Sequence, residues 1–321
     1  MTPDIADVSD SPDARSGFAL AGAGVGHVTR SGTGVTVLVF PPDSVGSGEV
    51  RGGAPATREF DLLDPSRSVT RVDAVVLSGG SAFGLAAADG VMRYLAEHGQ
   101  GFATAAGPVP IVPAACIFDL VEAVGPPPDG DDGYAAATAA AAGRTGDGPV
   151  VIGRVGAGAG ATVGKWRVRE GAVPGGVGVA QATVDGVRVA ALVVVNALGD
   201  VVAADGTLLA GSTAPADAPA FPTPEPFEEE RGNTTLAVVV TDAVLDKAAC
   251  FLLAQSAHDG FARALRPAHT RFDGDLAIAV ATGAAVAATA TDMGGAPSLD
   301  RLRVAAADVV AEAIRASVAD R

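Results

Sequence analysis

The sequence predicts a layered α/β fold with antiparallel character, not a purely doubly wound sheet. Three observations predict it. Strands, helix, strands and helix follow one another along the chain, a hairpin pattern brackets Asp185–Gly186, and apolar strands run straight into helical segments. With 321 residues, 48% hydrophobic and 18% charged, the chain has the material for a sizeable core. Ala and Val make up most of that apolar share, and there are 42 glycines, so backbone is expected to pack close to backbone.

The elements follow in order. Residues 1–16 are acidic and polar and read as a flexible leader, without the basic and apolar regions of a signal peptide. GVTVLVF (34–40) is a buried strand. VDAVVLSGG (72–80) is a second and leads into SAFGLAAADGVMRYLAEHG, which places Phe83, Leu85, Ala88, Val91, Met92 and Leu95 on one helical face behind Ser81 as N-cap. VPIVPAACIFDL (109–120) is apolar but broken by prolines, and VGPPPDGDDG (124–133) is a surface loop. YAAATAAAAGR is a helix, because Ala dominates it. A Gly-rich stretch (153–166) precedes a hairpin that turns at Asp185–Gly186. Residues 212–232 form a linker by composition. LAVVVT is a strand, 243–265 a helix, 275–283 a strand and 298–318 a closing amphipathic helix. No internal repeat is evident, and residues 17–321 read as a single domain.

Composition excludes several functions. A net charge of −15 argues against nucleic acid and anionic membrane as partners. No apolar run reaches the length of a membrane span. Cys116 and Cys250 form no C-x-x-C pair, so reduced thiols and a cytoplasmic location are expected. His27, His98, His258 and His269 lack metal-ligand spacing; His258 is expected to pack on its helix, and no metal or organic cofactor is expected. GAGATVGKW is not a phosphate loop, because Ala159 replaces the first Gly and Trp166 the Ser/Thr. GGSAFG is not a nucleophile elbow, because Phe83 stands at its second Gly.

One constellation survives. Gly232-Asn233-Thr234-Thr235 joins the Pro/Glu-rich linker directly to a core strand. It reads either as a turn entering a sheet, or as a self-cleavage junction whose product chain begins with Thr234. In the second case the new amine serves as base for the hydroxyl of the same residue. Such a site needs partners. Lys165 is one of only two lysines and lies in a Gly-rich apolar context: either its stem covers Trp166, or its charge tunes the site. The other, Lys247, is expected to be solvated. Asn196 ends a strand and is either a turn residue or an amide donor to an oxyanion. Asp273 and Asp275, in FDGD, form either a solvated turn or a pair of carboxylates that orients the nucleophile.

Taken together, GNTTLAVVVTDA, VGKW, VVVNALGD, TRFDGD, RGGAPATRE and LSGGSAFGLAAADGV resemble the DmpA-type family of self-processing N-terminal-nucleophile hydrolases. The family includes β-peptidyl and D-amino-acid aminopeptidases and endo-type hydrolases of 6-aminohexanoate (nylon) oligomers. The likeness runs from about Gly24 to the last helix, and NTT with FDGD is similar to the nylon-oligomer branch.

The resemblance implies a four-layer αββα sandwich of the DmpA/ornithine-acetyltransferase type. It implies cleavage between Asn233 and Thr234 into 1–233 and 234–321, and a homotetramer of the processed units. It implies Thr234 as nucleophile, surrounded by Lys165, Asn196, Asp273 and Asp275, acting on a small amide or short oligomer. Aminopeptidase, acyltransferase and non-enzymatic binding roles remain as alternatives. One position departs: many members carry Tyr where this chain has Phe118, so any hydroxyl supplied there is missing.

Overall fold

The computed structural model describes residues 20–143, 150–221, 232–284 and 298–319. The expected leader (1–16) and residues 222–231 of the expected linker lie outside them. The Val- and Ala-rich runs form strands with two buried faces, and these make two five-stranded sheets. The first sheet holds β1 (Gly24–Arg30) and β2 (Thr33–Val39), with β4 (Thr57–Arg58) at the far edge beyond β5 (Ala74–Ser78) and β6 (Ala114–Cys116). The second holds the hairpin β7 (Gly176–Val184) and β8 (Val187–Asn196). Next come β9 (Thr234–Thr241) and β10 (Leu276–Ala281), with β3 (Val45–Val50) at the edge.

The two sheets pack face to face through Leu38, Val75 and Leu77 of the first and Leu192, Val194, Leu236, Val238 and Ile278 of the second. Alternate residues point outward to helices. Val35, Val37 and Val76 meet α1 (Ala87–Glu97) and α2 (Gly130–Gly143), whose Val91, Leu95, Ala136 and Ala140 share that cluster. Val193, Ala237, Val239, Ala277 and Ala279 meet α3 (Lys247–Ala264) and α4 (Leu299–Ala316) through Leu253, Phe261, Val310 and Ile314. The result is the four-layer αββα sandwich that the resemblance implies.

Local rules account for most elements. Asp185 (φ 52) and Gly186 (φ 79) make the two-residue turn between β7 and β8. Asp246 caps α3 by accepting the Ala249 N–H at 2.8 Å. Asp129 accepts the N–H groups of Asp131 and Asp132, so α2 begins inside the expected surface loop, at Gly130.

Three expectations are corrected. Ser81 is no N-cap: it opens a 3-10 turn (Ser81–Ala86) at φ 53, and α1 starts only at Ala87. A 3-10 turn takes three residues, not 3.6, so Phe83 rotates off the apolar face and is 71% exposed. The described part of the linker is tied down by hydrogen bonds. Phe221 N–H donates to Trp166 O, and Arg167 reaches the carbonyls of Ala216 and Ala218. Lys247 is buried, not solvated, because its Nζ donates to the carbonyls of Leu62, Arg67 and Val69.

No repeat was legible in the sequence, yet the topology repeats. Each sheet runs from a hairpin through an antiparallel and then a parallel neighbour to an antiparallel edge strand. The unit β5–α1–β6–α2 is matched by β9–α3–β10–α4.

Candidate active site

The candidate residues gather where the start of β9 meets the end of β8. Antiparallel register places Asn196 directly opposite Thr234. The segment before β10 runs parallel to the chain entering β9, so Asn233 pairs with Asp273. Lys165 is carried in by the end of the Gly-rich stretch, held by its N–H on Leu198 O. Lys165, Asn196, Asn233, Thr234, Asp273 and Asp275 are all buried.

The junction peptide is gripped from two sides. Thr234 Oγ1 lies 2.5 Å from Asn233 O. The N–H of Gly274 donates to the same oxygen at 2.7 Å. Gly274 is Gly by necessity of space: a Cβ there would meet Thr234 Oγ1 at 2.6 Å. Gly232 is equally constrained, since a Cβ would fall 2.0 Å from the ring of Phe118. Both side-chain polar atoms of Asn233 are buried without a hydrogen-bond partner among the described residues.

Both ends of the Asn196 amide are held. Its Oδ1 accepts Lys165 Nζ at 2.8 Å and Thr162 N–H at 3.0 Å, and its Nδ2 donates to Phe118 O at 3.0 Å. In this geometry the donor on the junction carbonyl is the backbone N–H of Gly274. Lys165 Nζ also donates to Asn196 O at 3.2 Å. It does not cover Trp166, whose face is taken by the Arg167 guanidinium. Burial pulls the Lys165 ammonium down to about 7, offset in part by Glu122, which itself pairs with Arg169.

The two carboxylates bind mainly backbone. Asp273 accepts the N–H and hydroxyl of Thr270 at 2.8 and 2.6 Å and the N–H of Leu198 at 3.3 Å. Burial, and then the charge of Asp275, raise the Asp273 carboxyl above the usual range. Asp275 accepts the N–H of Thr235 at 2.7 Å, which ties β9 to β10 one residue beyond Thr234. Its second oxygen faces His269. FDGD is thus a buried clamp, not a solvated turn.

Sequence reasoning did not identify Gly274, His269, Thr270 or the Phe118 carbonyl. Thr270, three residues before Asp273, carries the local signal of a side-chain-capped turn. The others act through backbone groups or across the fold, where residue type gives no signal.

A sandwich of two inner sheets flanked by helices on both outer faces is the fold of the N-terminal-nucleophile hydrolases. The chain belongs to peptidase family S58, whose profile matches residues 19–320. It is 46% identical over 306 residues to an uncharacterised aminopeptidase of Mycobacterium leprae, covering 89% of this chain and 82% of that one. It is 32% identical over 275 residues to the 6-aminohexanoate-oligomer endohydrolase of Paenarthrobacter ureafaciens, covering 81% and 72%. Among solved structures, a Burkholderia β-aminopeptidase superposes with a TM-score of 0.66 at 23% identity, covering 94% of this chain and 87% of that one. The L-aminopeptidase D-Ala-esterase/amidase of Ochrobactrum anthropi, described as a variant of the Ntn-hydrolase fold, gives 0.63 at 18% identity, covering 94% and 86%. The protein is therefore a hydrolase of amide bonds. Among the described residues, no helix is long and apolar enough to cross a membrane.

Proposed function

We propose that the chain cleaves itself between Asn233 and Thr234, and that the freed Thr234 then hydrolyses amide bonds in short peptides or ω-amino-acid oligomers. The observation that carries this reading is the junction carbonyl: Thr234 Oγ1 lies 2.5 Å from its oxygen, and the Gly274 N–H polarises it from 2.7 Å. In processing, Oγ1 attacks the Asn233 carbonyl carbon, the C–N bond breaks, and the hydroxyl proton ends on the nitrogen. Water then splits the ester, leaving a carboxylate on Asn233 and an amine on Thr234.

In turnover that amine takes the proton of its own hydroxyl. Oγ1 bonds to the substrate carbonyl carbon, and the departing amine takes the proton as the amide breaks. Water hydrolyses the acyl-enzyme. Lys165 and Asn196 hold the charge and geometry opposite Thr234, and Asp273 and Asp275 hold the strand that carries it.

The names of both relatives concern amide hydrolysis, and the greater identity lies with the mycobacterial aminopeptidase. We place short aminoacyl amides first among substrates and 6-aminohexanoate oligomers second. The proposal includes assembly of processed units into a homotetramer and, with both cysteines free and buried, residence in the cytoplasm.

Intact mass under denaturing conditions tests the first step. Two species ending at Asn233 and beginning at Thr234 are expected. Thr234→Ala should leave one species and no amidase activity, and Gly274→Ala should slow processing by about 100-fold through a displaced hydroxyl. A Thr234→Ala protein that still splits would move the nucleophile elsewhere. Product analysis on aminoacyl anilides and 6-aminohexanoate oligomers then separates exo- from endo-cleavage.

A further inference from the structure

Behind the nucleophile, a line of hydrogen bonds runs from Asp275 through two imidazoles to the backbone of β3. Asp275 Oδ2 lies 2.9 Å from His269 Nδ1 and accepts the His269 backbone N–H at 3.0 Å. His269 Nε2 lies 3.2 Å from His258 Nδ1, and His258 Nε2 lies 3.1 Å from the Glu49 carbonyl oxygen. His258 is on α3 and 1% exposed, and the ring of Phe261 packs 5.1 Å from that of His269.

The partners dictate where the hydrogens sit. A carbonyl oxygen only accepts, so His258 Nε2 carries a hydrogen. Burial pulls the His258 imidazole down to about 3, so the ring is neutral and its Nδ1 is an acceptor. His269 Nε2 must then carry the hydrogen between the two rings. On the other side of His269, one more hydrogen lies between Nδ1 and Asp275 Oδ2. The Asp275 carboxyl already accepts two backbone N–H groups, from Thr235 and His269. Such donors favour the carboxylate, which leaves that hydrogen on His269.

We infer that His269 is a positioning residue, held as an imidazolium between the Asp275 carboxylate and a neutral His258, and that this buried ion pair fixes the anion that anchors the strand start bearing Thr234. The functional half of the inference rests on Thr234 being the nucleophile; the protonation pattern does not. The other charged groups nearby are Glu49, whose Oε2 is 3.8 Å from His258 Nε2 and which pairs with Arg51 at 2.9 Å, and Asp273. The His269 cation lies against Asp275, the carboxyl whose charge raises Asp273.

The chain holds four histidines, which makes imidazole nitrogen spectra tractable. Spectra of the ¹⁵N-labelled protein would be recorded at about pH 7.5, above the free imidazole value near 6.5. His269→Asn assigns the signals and suits the left-handed backbone there (φ 55). If that variant does not fold, His27→Gln and His98→Gln assign the remaining pair by elimination. Both nitrogens of His269 are expected to carry a hydrogen, with His258 neutral and protonated on Nε2. A His269 with a hydrogen on one nitrogen only, or a His258 protonated on Nδ1, would overturn the inference whether or not Thr234 cleaves anything. In the kinetics, His269→Asn should move the acid limb of the processing rate to higher pH, because the carboxylate pair loses its counter-charge. A lower rate with an unmoved limb would assign His269 a purely structural part.

Discussion

Lys165 shows how one buried side chain couples the site to pH. Its ammonium donates to Asn196 Oδ1 and O, yet burial still lowers it to about 7. In the unfolded chain a lysine titrates near 10.4. Between about pH 7 and 10.4 the unfolded state therefore binds a proton that the folded state does not. Stability contributed at this position rises with pH across that window, by about 1.4 kcal/mol per unit, and below it the desolvation cost is present in full. Lys165→Met removes the slope while leaving Thr162 N–H on Asn196 Oδ1. Urea unfolding of wild type and variant at about pH 7.5 and 9.5 should show the wild type gaining on the variant as pH rises. A difference that stays flat would mean that Lys165 titrates as a solvated lysine. Asp273 moves in the opposite sense. Its raised carboxyl makes the folded state hold a proton longer, so its ionisation costs stability as pH rises through its own range.

At the scale of elements, the second lysine is a strut. Lys247 sits in the first turn of α3, where the helix dipole disfavours a cation. The carbonyls of Leu62, Arg67 and Val69, at 2.7, 3.1 and 2.8 Å, compensate and pin α3 to the loop after β4. Lys247→Met should cost about 3 kcal/mol in denaturant unfolding, because three carbonyls lose a charged donor. A loss under about 0.5 kcal/mol would mean that water replaces the ammonium freely. This is also where the sequence was least legible. Strands β2, β5, β8, β9 and β10 could be read because alternation and apolar runs are local patterns. Lys247 reads as a solvated helix residue because its acceptors lie about 180 positions away in the chain. Thr234, Lys165, Asn196, Asp273 and Asp275 could be singled out because each is a chemically distinctive residue at a strand end or in a Gly-rich turn. His269 and Gly274 could not, since their parts are defined by what the fold lays against them: a carboxylate and a ring for one, a carbonyl for the other.

At the scale of the whole molecule, the proposed cut falls inside a sheet. It would leave β9, α3, β10 and α4 on the shorter product and β3, β7 and β8 on the longer one. The second sheet is woven from both. β8 pairs with β9 from Val189↔Thr241 to Asn196↔Thr234, and β3 pairs with β10 from Val50↔Leu276 to Val45↔Ala281. Both apolar clusters that touch this sheet also mix side chains from the two products. Each central strand buries several Val, Leu or Ile side chains, worth about 1.5–3 kcal/mol apiece, so no single severed peptide bond can release the pieces. The products should therefore stay together in native mass measurement and gel filtration at micromolar concentration, and separate only in denaturant. The Lys247 strut adds a tie from the shorter product to residues 62–69 of the longer one, and Lys247→Met should lower the denaturant concentration at which the processed pair comes apart. Spontaneous dissociation of processed wild type under native conditions would contradict this account of the sandwich, because it would mean that the β8–β9 and β3–β10 seams depend on the junction peptide and not on their own ladders and cores.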